Sequence, residues 1–199
     1  MSKERPIIFS APMVRAILEG RKSMTRRIVK FNDSGRVKLN GKQWHIEDPD
    51  AINGCPYGTV GDRLLVKETF MGTKDCLSYR ATDPRQVIEF GFDKWTPSIF
   101  MPRWASRITL EIVSVRVERV QEITEEDARA EGAHLATWFI PKGKENDYEH
   151  HRDISGLPGY PSERPAYKNG FANLWESIHG PGSWERNDWC WVIEFRRTA

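Results

Sequence analysis

Hydrophobic and polar positions alternate along two stretches of the chain, and this period of two predicts two long strands. In residues 107–120 the alternation changes phase between Ile112 and Val113. Since successive side chains of a strand point to opposite faces, a phase change within one run predicts a bulge or a sharp bend. Residues 189–195 alternate with a single phase and predict a final strand.

Shorter patterns complete the predicted framework. Residues 6–9 favour a short strand, and residues 63–70 favour another, with residues 76–81 as its candidate partner. Capping residues, apolar spacing and terminal glycines predict three helices. These helices fall within residues 10–20, 124–132 and 171–180.

Two stretches of irregular composition interrupt this framework. Residues 32–58 are rich in Gly, Asn, Asp and Pro and predict an elaborated loop or a small hairpin, whereas residues 136–168 predict an insertion or lid. A length of 199 residues suits one domain spanning residues 1–199. The predicted fold is α+β: a small, bent, mostly antiparallel sheet or barrel with about three flanking helices and two loop insertions.

Composition narrows the class of protein. The chain is 39% hydrophobic and 29% charged, which is typical of a globular protein and not of a disordered one. No run approaches the roughly 18 apolar residues of a membrane helix, and no secretory apolar stretch follows the charged N-terminus. The three cysteines are an odd number at wide spacing, which predicts a reduced, cytoplasmic setting without a disulfide framework.

Charge and aromatic content leave alternatives open. The net charge is only +2, but residues 1–30 carry eight Lys or Arg against two Glu. Such a local basic patch either holds phosphate or is an ordinary solvated surface. The eight tryptophans are either stacking platforms for bases or, more commonly, members of the core.

One motif combines residue types that could carry chemistry. Gly-x-Lys-x-x-Thr-x-Arg occurs at Gly20, Lys22, Thr25 and Arg27. The pKa of a lysine falls readily on burial, so a neutral lysine near a hydroxyl can act as base to a nucleophile. An arginine can bind phosphate or carboxylate through its planar guanidinium group. A basic surface turn is the plainer interpretation of the same residues.

The motif resembles the signature of the ASCH family. The N-terminal strand and helix, the Gly61-Asp62 turn before a strand, and the terminal strand at residues 192–195 resemble that family too. The resemblance implies a PUA-like β-barrel and is strongest to the longer ASCH proteins of phages and prophages. The usual signature has Glu where this chain has Thr25, and the small ASCH amidohydrolases that act on N4-acetylcytidine share the Thr.

The resemblance also implies catalytic residues. Those amidohydrolases use a Lys, a Thr and a Glu, and Lys22 and Thr25 match the first two. Residues 124–131 match the Thr-Glu-x-x-Ala-x-x-Glu pattern of the family's late helix, which makes Glu131 the third. The implied mechanism has Thr25 attack an amide carbonyl while Lys22 takes its proton, and Glu131 positions Lys22 or protonates the leaving amine.

Other residues are candidates for binding the substrate or its phosphates. A strand places Arg63 and Lys67 on one face, where they either line a cleft or face solvent. The aromatic crossing that contains Trp104 either stacks a base or packs as a hydrophobic lid. The predicted binding set is Arg21, Arg26, Arg27, Arg63, Lys67 and Trp104.

The sequence predicts neither a metal nor a cofactor. Its five histidines and three cysteines show no metal-ligand spacing, and it contains no Walker A loop or dinucleotide fingerprint. The leading prediction is a metal-independent amidohydrolase acting on a modified nucleoside such as N4-acetylcytidine. The alternatives are a non-catalytic PUA-like module that binds RNA and a ribonuclease that uses Lys22 and Glu131. In each case the predicted partner is RNA or a modified nucleoside, and not a membrane.

Overall fold

The computed structural model describes residues 2–39, 41–83, 94–136 and 166–198. Most of the predicted insertion at 136–168 therefore lies outside the described residues. The elements of the described part are β1 (Glu4–Ile8), α1 (Ala11–Leu18), β2 (Met24–Ile28), β3 (Val37–Leu39), β4 (Lys42–Trp44), β5 (Arg63–Lys67), β6 (Phe70–Thr73), β7 (Cys76–Tyr79), β8 (Thr109–Arg119), α2 (Glu125–Ala130), α3 (Tyr167–His179) and β9 (Trp189–Thr198).

Five strands form the central sheet, in the order β1-β5-β8-β9-β2. β1 pairs with β5 in parallel, and the other three pairs are antiparallel. The α+β class is thus confirmed, but a closed barrel is wrong for the described residues, because no backbone ladder joins the edge strands β1 and β2. A side chain links these edges instead: Nη2 of Arg27 donates to the carbonyl of Ile8 at 2.8 Å.

The predicted phase change in the long strand is confirmed as a bulge in β8. The register of β8 against β9 shifts between Ile112 and Ser114. Val113, the extra residue, is 44% exposed, while Leu110 and Ile112 before it are buried. The bulge therefore lets one strand keep apolar residues on the core side despite the change of phase.

Two hydrophobic clusters fix the elements around the site. The larger one packs α1 on the sheet through Val14 and Ile17. The smaller one joins α2 to α3 through Ala128, Phe171 and Trp175. The end of α2 lies beside the turn before β2, where the backbone N–H of Ser23 donates to the carbonyl of Ala130 at 2.8 Å. The sequence motif lies at this point.

The small hairpins differ in part from prediction. Residues 32–58 contain the β3–β4 hairpin, as expected. The predicted strand at 63–70 is interrupted, however, and residues 76–79 pair with β6 rather than with β5. The interruption falls at Glu68, whose buried carboxylate accepts two hydrogen bonds from Arg107 at 2.9 and 3.1 Å.

Candidate active site

The motif occupies a turn and the strand that follows it. Lys22 forms an isolated antiparallel bridge with Glu131, and β2 then begins at Met24. The sequence predicts a basic turn through residues 21–27, which is wrong for Met24 to Arg27, since they pair with β9. β2 lacks an apolar alternation because its inward-facing positions include a buried arginine.

A buried ion pair joins the first and third predicted catalytic residues. Nζ of Lys22 donates to Oε2 of Glu131 at 2.8 Å and to the carbonyl oxygen of Glu131 at 2.7 Å. Their side chains are 1% and 4% exposed. Burial lowers the pKa of Lys22, although the nearby Glu131 carboxylate acts in the opposite direction. Lys22 therefore releases its proton more readily than a lysine in water.

The end of α2 makes this close approach possible. Glu131 is the C-terminal cap of α2, and Gly132 follows it with φ +79°. A Cβ at Gly132 would lie 3.2 Å from Cβ of Ala16 and 3.3 Å from Cβ of Lys22. Both the left-handed backbone and the crowding favour glycine here. Because glycine has no side chain, the turn can bring Glu131 close to Lys22.

Arg26 is surrounded by carboxylates. Its side chain is fully buried, and Nη2 contacts Asp127 at 2.7 Å and Glu118 at 2.9 Å. Nη1 lies 3.5 Å from Oε1 of Glu131. Arg116 contacts two of these acids as well, and the formal charges of the cluster sum to zero. Its members are Lys22, Arg26, Arg116, Glu118, Asp127 and Glu131.

A cavity of about 210 Å³ lies between the open edges of the sheet and α3. Thr25, Arg27 and Glu131 supply a hydroxyl, a guanidinium and a carboxylate to its wall. The remaining wall is largely apolar and aromatic. It consists of Ile8, Ser10, Met13, Arg26, Phe171, Leu174, Trp175, Ile178 and His179.

A larger cavity of about 510 Å³ adjoins the first. The two share wall residues, among them Ser10, Met13 and Glu131. Lys22 lines neither cavity, so Glu131 is the member of the ion pair that borders both cavities. Thr25 is buried on the wall of the smaller cavity, and among the described residues no hydrogen bond joins its hydroxyl to Lys22.

Arg27 differs from Arg26 in having no carboxylate partner within the described ranges. Its Nη2 binds the carbonyl of Ile8, its Cζ lies 5.2 Å from the ring centroid of Phe9, and its Nε is buried without a hydrogen bond. Burial is also the main cause that lowers the pKa of Arg27. A cation that is not neutralised in a cavity attracts an electron-rich ligand atom such as a carbonyl or phosphate oxygen.

His179 is a cavity residue that sequence reasoning missed. It ends α3, and its ring centroid lies 4.2 Å from that of Trp175. Burial, followed by the positive charges of Arg27 and Arg186, lowers the pKa of His179 below 6.5. This environment therefore favours the neutral form of the imidazole. A single histidine before Gly-Pro carries no motif, so the sequence contained no signal for it.

The other predicted binding residues lie apart from the smaller cavity. Arg21 is about half exposed, pairs with Glu19 and borders the larger cavity. Arg63 and Lys67 lie on β5 and Trp104 lies in a short 3-10 turn, and none of the three lines either cavity.

The described residues contain neither a candidate metal site nor a candidate membrane span. No group of three or more His, Cys, Asp or Glu side chains in them could hold a metal ion. No helix in the same part of the chain has the length and hydrophobicity needed to cross a membrane.

No protein-family model and no curated protein matches the chain. The structure is similar to a solved ASCH domain. That domain is from Lactobacillus crispatus JV V101 and is 12% identical in sequence; the alignment covers 98% of this chain and 79% of that one, with a TM-score of 0.39.

Proposed function

We propose that this protein is a metal-independent amidohydrolase that removes an acyl group from a modified nucleoside such as N4-acetylcytidine. One observation carries the proposal: the buried Lys22–Glu131 pair presents its carboxylate to the cavity whose wall contains Thr25. The resemblance of the motif to the ASCH amidohydrolases supports the same three residues.

The geometry favours one route for the proton. Since Glu131, and not Lys22, shares the cavity wall with Thr25, the Lys22–Glu131 pair accepts the Thr25 proton through the carboxylate. The Thr25 oxygen bonds to the acyl carbon, and the pair returns the proton to the departing amine as the carbon–nitrogen bond breaks. Water then hydrolyses the resulting ester and restores the Thr25 hydroxyl. Overall, one water is consumed for each acyl group released.

The residues that line the smaller cavity suit a flat, polar substrate. Phe171 and Trp175 supply aromatic surface, and Arg27 supplies a guanidinium without a carboxylate partner among the described residues. Aromatic surface can stack a base, while the cation binds an electron-rich oxygen of the base or acyl group. His179 adds an imidazole to the cavity wall that can donate or accept a hydrogen bond at the base edge.

The binding-only alternative receives less support. It needs Lys22, Arg26 and Arg27 as phosphate contacts, but Lys22 and Arg26 are already bound to carboxylates. Only Arg27 of these three lacks such a partner in the described ranges. A phosphate would have to compete with buried carboxylates for the other two, at a considerable electrostatic cost.

The test is mass-spectrometric turnover of N4-acetylcytidine and a small panel of acylated nucleosides. Thr25→Ser retains a hydroxyl and is expected to retain turnover. Thr25→Val keeps the β-branched shape without the hydroxyl, and its kcat is expected to fall by at least about 100-fold with the substrate still bound. No conversion by the wild type, or equal turnover by the two variants, overturns the proposal. Cleavage of an RNA strand by the wild type would favour the ribonuclease.

A further inference from the structure

Three large apolar side chains are exposed within six residues of the chain. Ile99, Phe100 and Trp104 are 61%, 71% and 45% exposed. Their backbone lies in two short 3-10 turns, and Met101 and Ala105 between and beside them are buried against Phe70. The exposed side chains are thus held outward on an anchored segment, and such a patch is typical of an interaction surface.

Lysines accompany this patch. Nζ of Lys74 lies 5.9 Å from the ring centroid of Trp104, and Nζ of Lys67 donates to the carbonyl of Ile99 at 2.8 Å. Neither lysine forms an ion pair with a carboxylate of the described residues. Exposed aromatic rings together with unpaired cations match a polymer that carries bases and phosphates, namely a single-stranded nucleic acid. We call Lys67, Lys74, Ile99, Phe100 and Trp104 the platform.

One strand spacing separates the platform from the smaller cavity. Ile8 lines the smaller cavity, is 44% exposed and pairs in register with Lys67 of the neighbouring strand. Neighbouring strands lie about 4.8 Å apart, and the Lys67 side chain then reaches Ile99. The surface between the cavity and Phe100 is therefore only one strand spacing and one lysine side chain wide. A bound strand would cross it with a few nucleotides.

We propose that the platform binds single-stranded RNA on one side of the nucleotide that enters the cavity. Phe100 and Trp104 stack on successive bases, and Lys67 and Lys74 contact the phosphates between them. This inference rests on the proposed function for the identity of the base in the cavity. The surface itself binds the strand whether or not that base reacts. The substrate would then be a modified residue within a strand rather than a free nucleoside.

The test uses a fluorescently labelled oligouridylate of about ten nucleotides, which carries no acyl group. Wild-type protein is expected to bind it, and Phe100→Ala and Trp104→Ala are each expected to raise Kd about tenfold. Lys67→Gln is expected to reduce the slope of log Kd against log salt. The matched control is Val113→Ala, an exposed apolar residue at the β8 bulge, which should bind like the wild type.

Each outcome has a distinct meaning. Absence of binding by the wild type, or equal Kd values for the platform variants and Val113→Ala, overturns the inference. A third outcome is that the platform variants lose binding but the wild type hydrolyses no acylated nucleoside. That result would overturn the proposed function and support the inference that the platform binds RNA. Since Phe100, Trp104 and Val113 are exposed and Lys67 is only half-buried, circular dichroism and thermal unfolding should show a folded protein for every variant.

Discussion

Lys22 and Glu131 lie 109 positions apart in the chain, yet Nζ of one is 2.8 Å from Oε2 of the other in a buried contact. The pair forms because α2 ends beside the turn that precedes β2. A buried ion pair is costly to assemble, and removing one partner leaves an uncompensated charge. Mutations of Lys22 and Glu131 can therefore affect the stability of the protein and its activity to different extents.

The first prediction concerns that separation. Lys22→Met and Glu131→Leu are each expected to lower the free energy of unfolding by about 3–5 kcal/mol, because each removes the closest partner of a buried charge. The double variant removes both charges and is expected to recover most of that loss while remaining inactive. Denaturant unfolding and nucleoside turnover measure the two properties. Additive losses of stability in the double variant would contradict the coupling.

Arg26 and Arg116 provide a second prediction, since they share two carboxylates but differ in burial. The Arg26 side chain is 0% exposed and that of Arg116 is 34% exposed. Arg26→Met is expected to cost about 3–5 kcal/mol of unfolding free energy, and Arg116→Met about 1 kcal/mol because water screens its pairs. Urea unfolding of the two variants side by side measures the difference. Equal losses would show that burial does not govern the network.

The same network shows why sequence reasoning succeeded for the long strands and failed for β2. The strand at residues 107–120 was predictable because apolar residues alternate there, and its phase change marked the bulge at Val113. β2 also pairs antiparallel with β9, but it buries Arg26 instead of showing an apolar alternation. A buried cation looks polar in the sequence, since its partners Glu118 and Asp127 are 92 and 101 positions away.

The candidate site was predictable to a similar, partial degree. Lys22 and Thr25 stand out by local spacing, whereas Glu131 emerged only through a family resemblance. The predicted proton transfer from Thr25 directly to Lys22 depends on side-chain directions that spacing cannot supply. Whether the sheet closes into a barrel also depends on the distance between two edges, and the cavity lies at that opening.

A third prediction follows from the lowered pKa of His179. Between pH 6.5 and the lowered folded-state pKa, more of the unfolded chains than of the folded chains hold a proton on this imidazole. The contribution of His179 to the free energy of unfolding is therefore present above pH 6.5 and declines as pH falls toward the lowered folded-state pKa. NMR titration of the imidazole should give a midpoint below 6.5.

The stability of His179→Gln provides the matched measurement. Urea unfolding of the variant should depend less steeply on pH on the acid side than unfolding of the wild type, because the variant lacks the titrating group. Parallel pH profiles for the two proteins, or an NMR midpoint at or above 6.5, would contradict the environment described for His179.

The last prediction concerns Gly170, where replacement by alanine should destabilise the helix instead of stabilising it. Replacing glycine by alanine inside a helix normally stabilises it by about 1 kcal/mol. A Cβ on Gly170 of α3, however, would lie 1.7 Å from the carbonyl oxygen of His134. In Gly170→Ala, α3 must therefore move away from His134, which also lines the larger cavity. The variant is expected to lower the free energy of unfolding by about 1–3 kcal/mol.

The control for Gly170→Ala is Ser177→Ala on the exposed part of the same helix, where the change in unfolding free energy should stay within about 0.5 kcal/mol. Urea unfolding measures both variants. Because the displacement also enlarges the space beside Glu131, Gly170→Ala should lose nucleoside turnover beyond any loss explained by unfolding. A stabilised Gly170→Ala protein would show that α3 does not pack on His134 as closely as described.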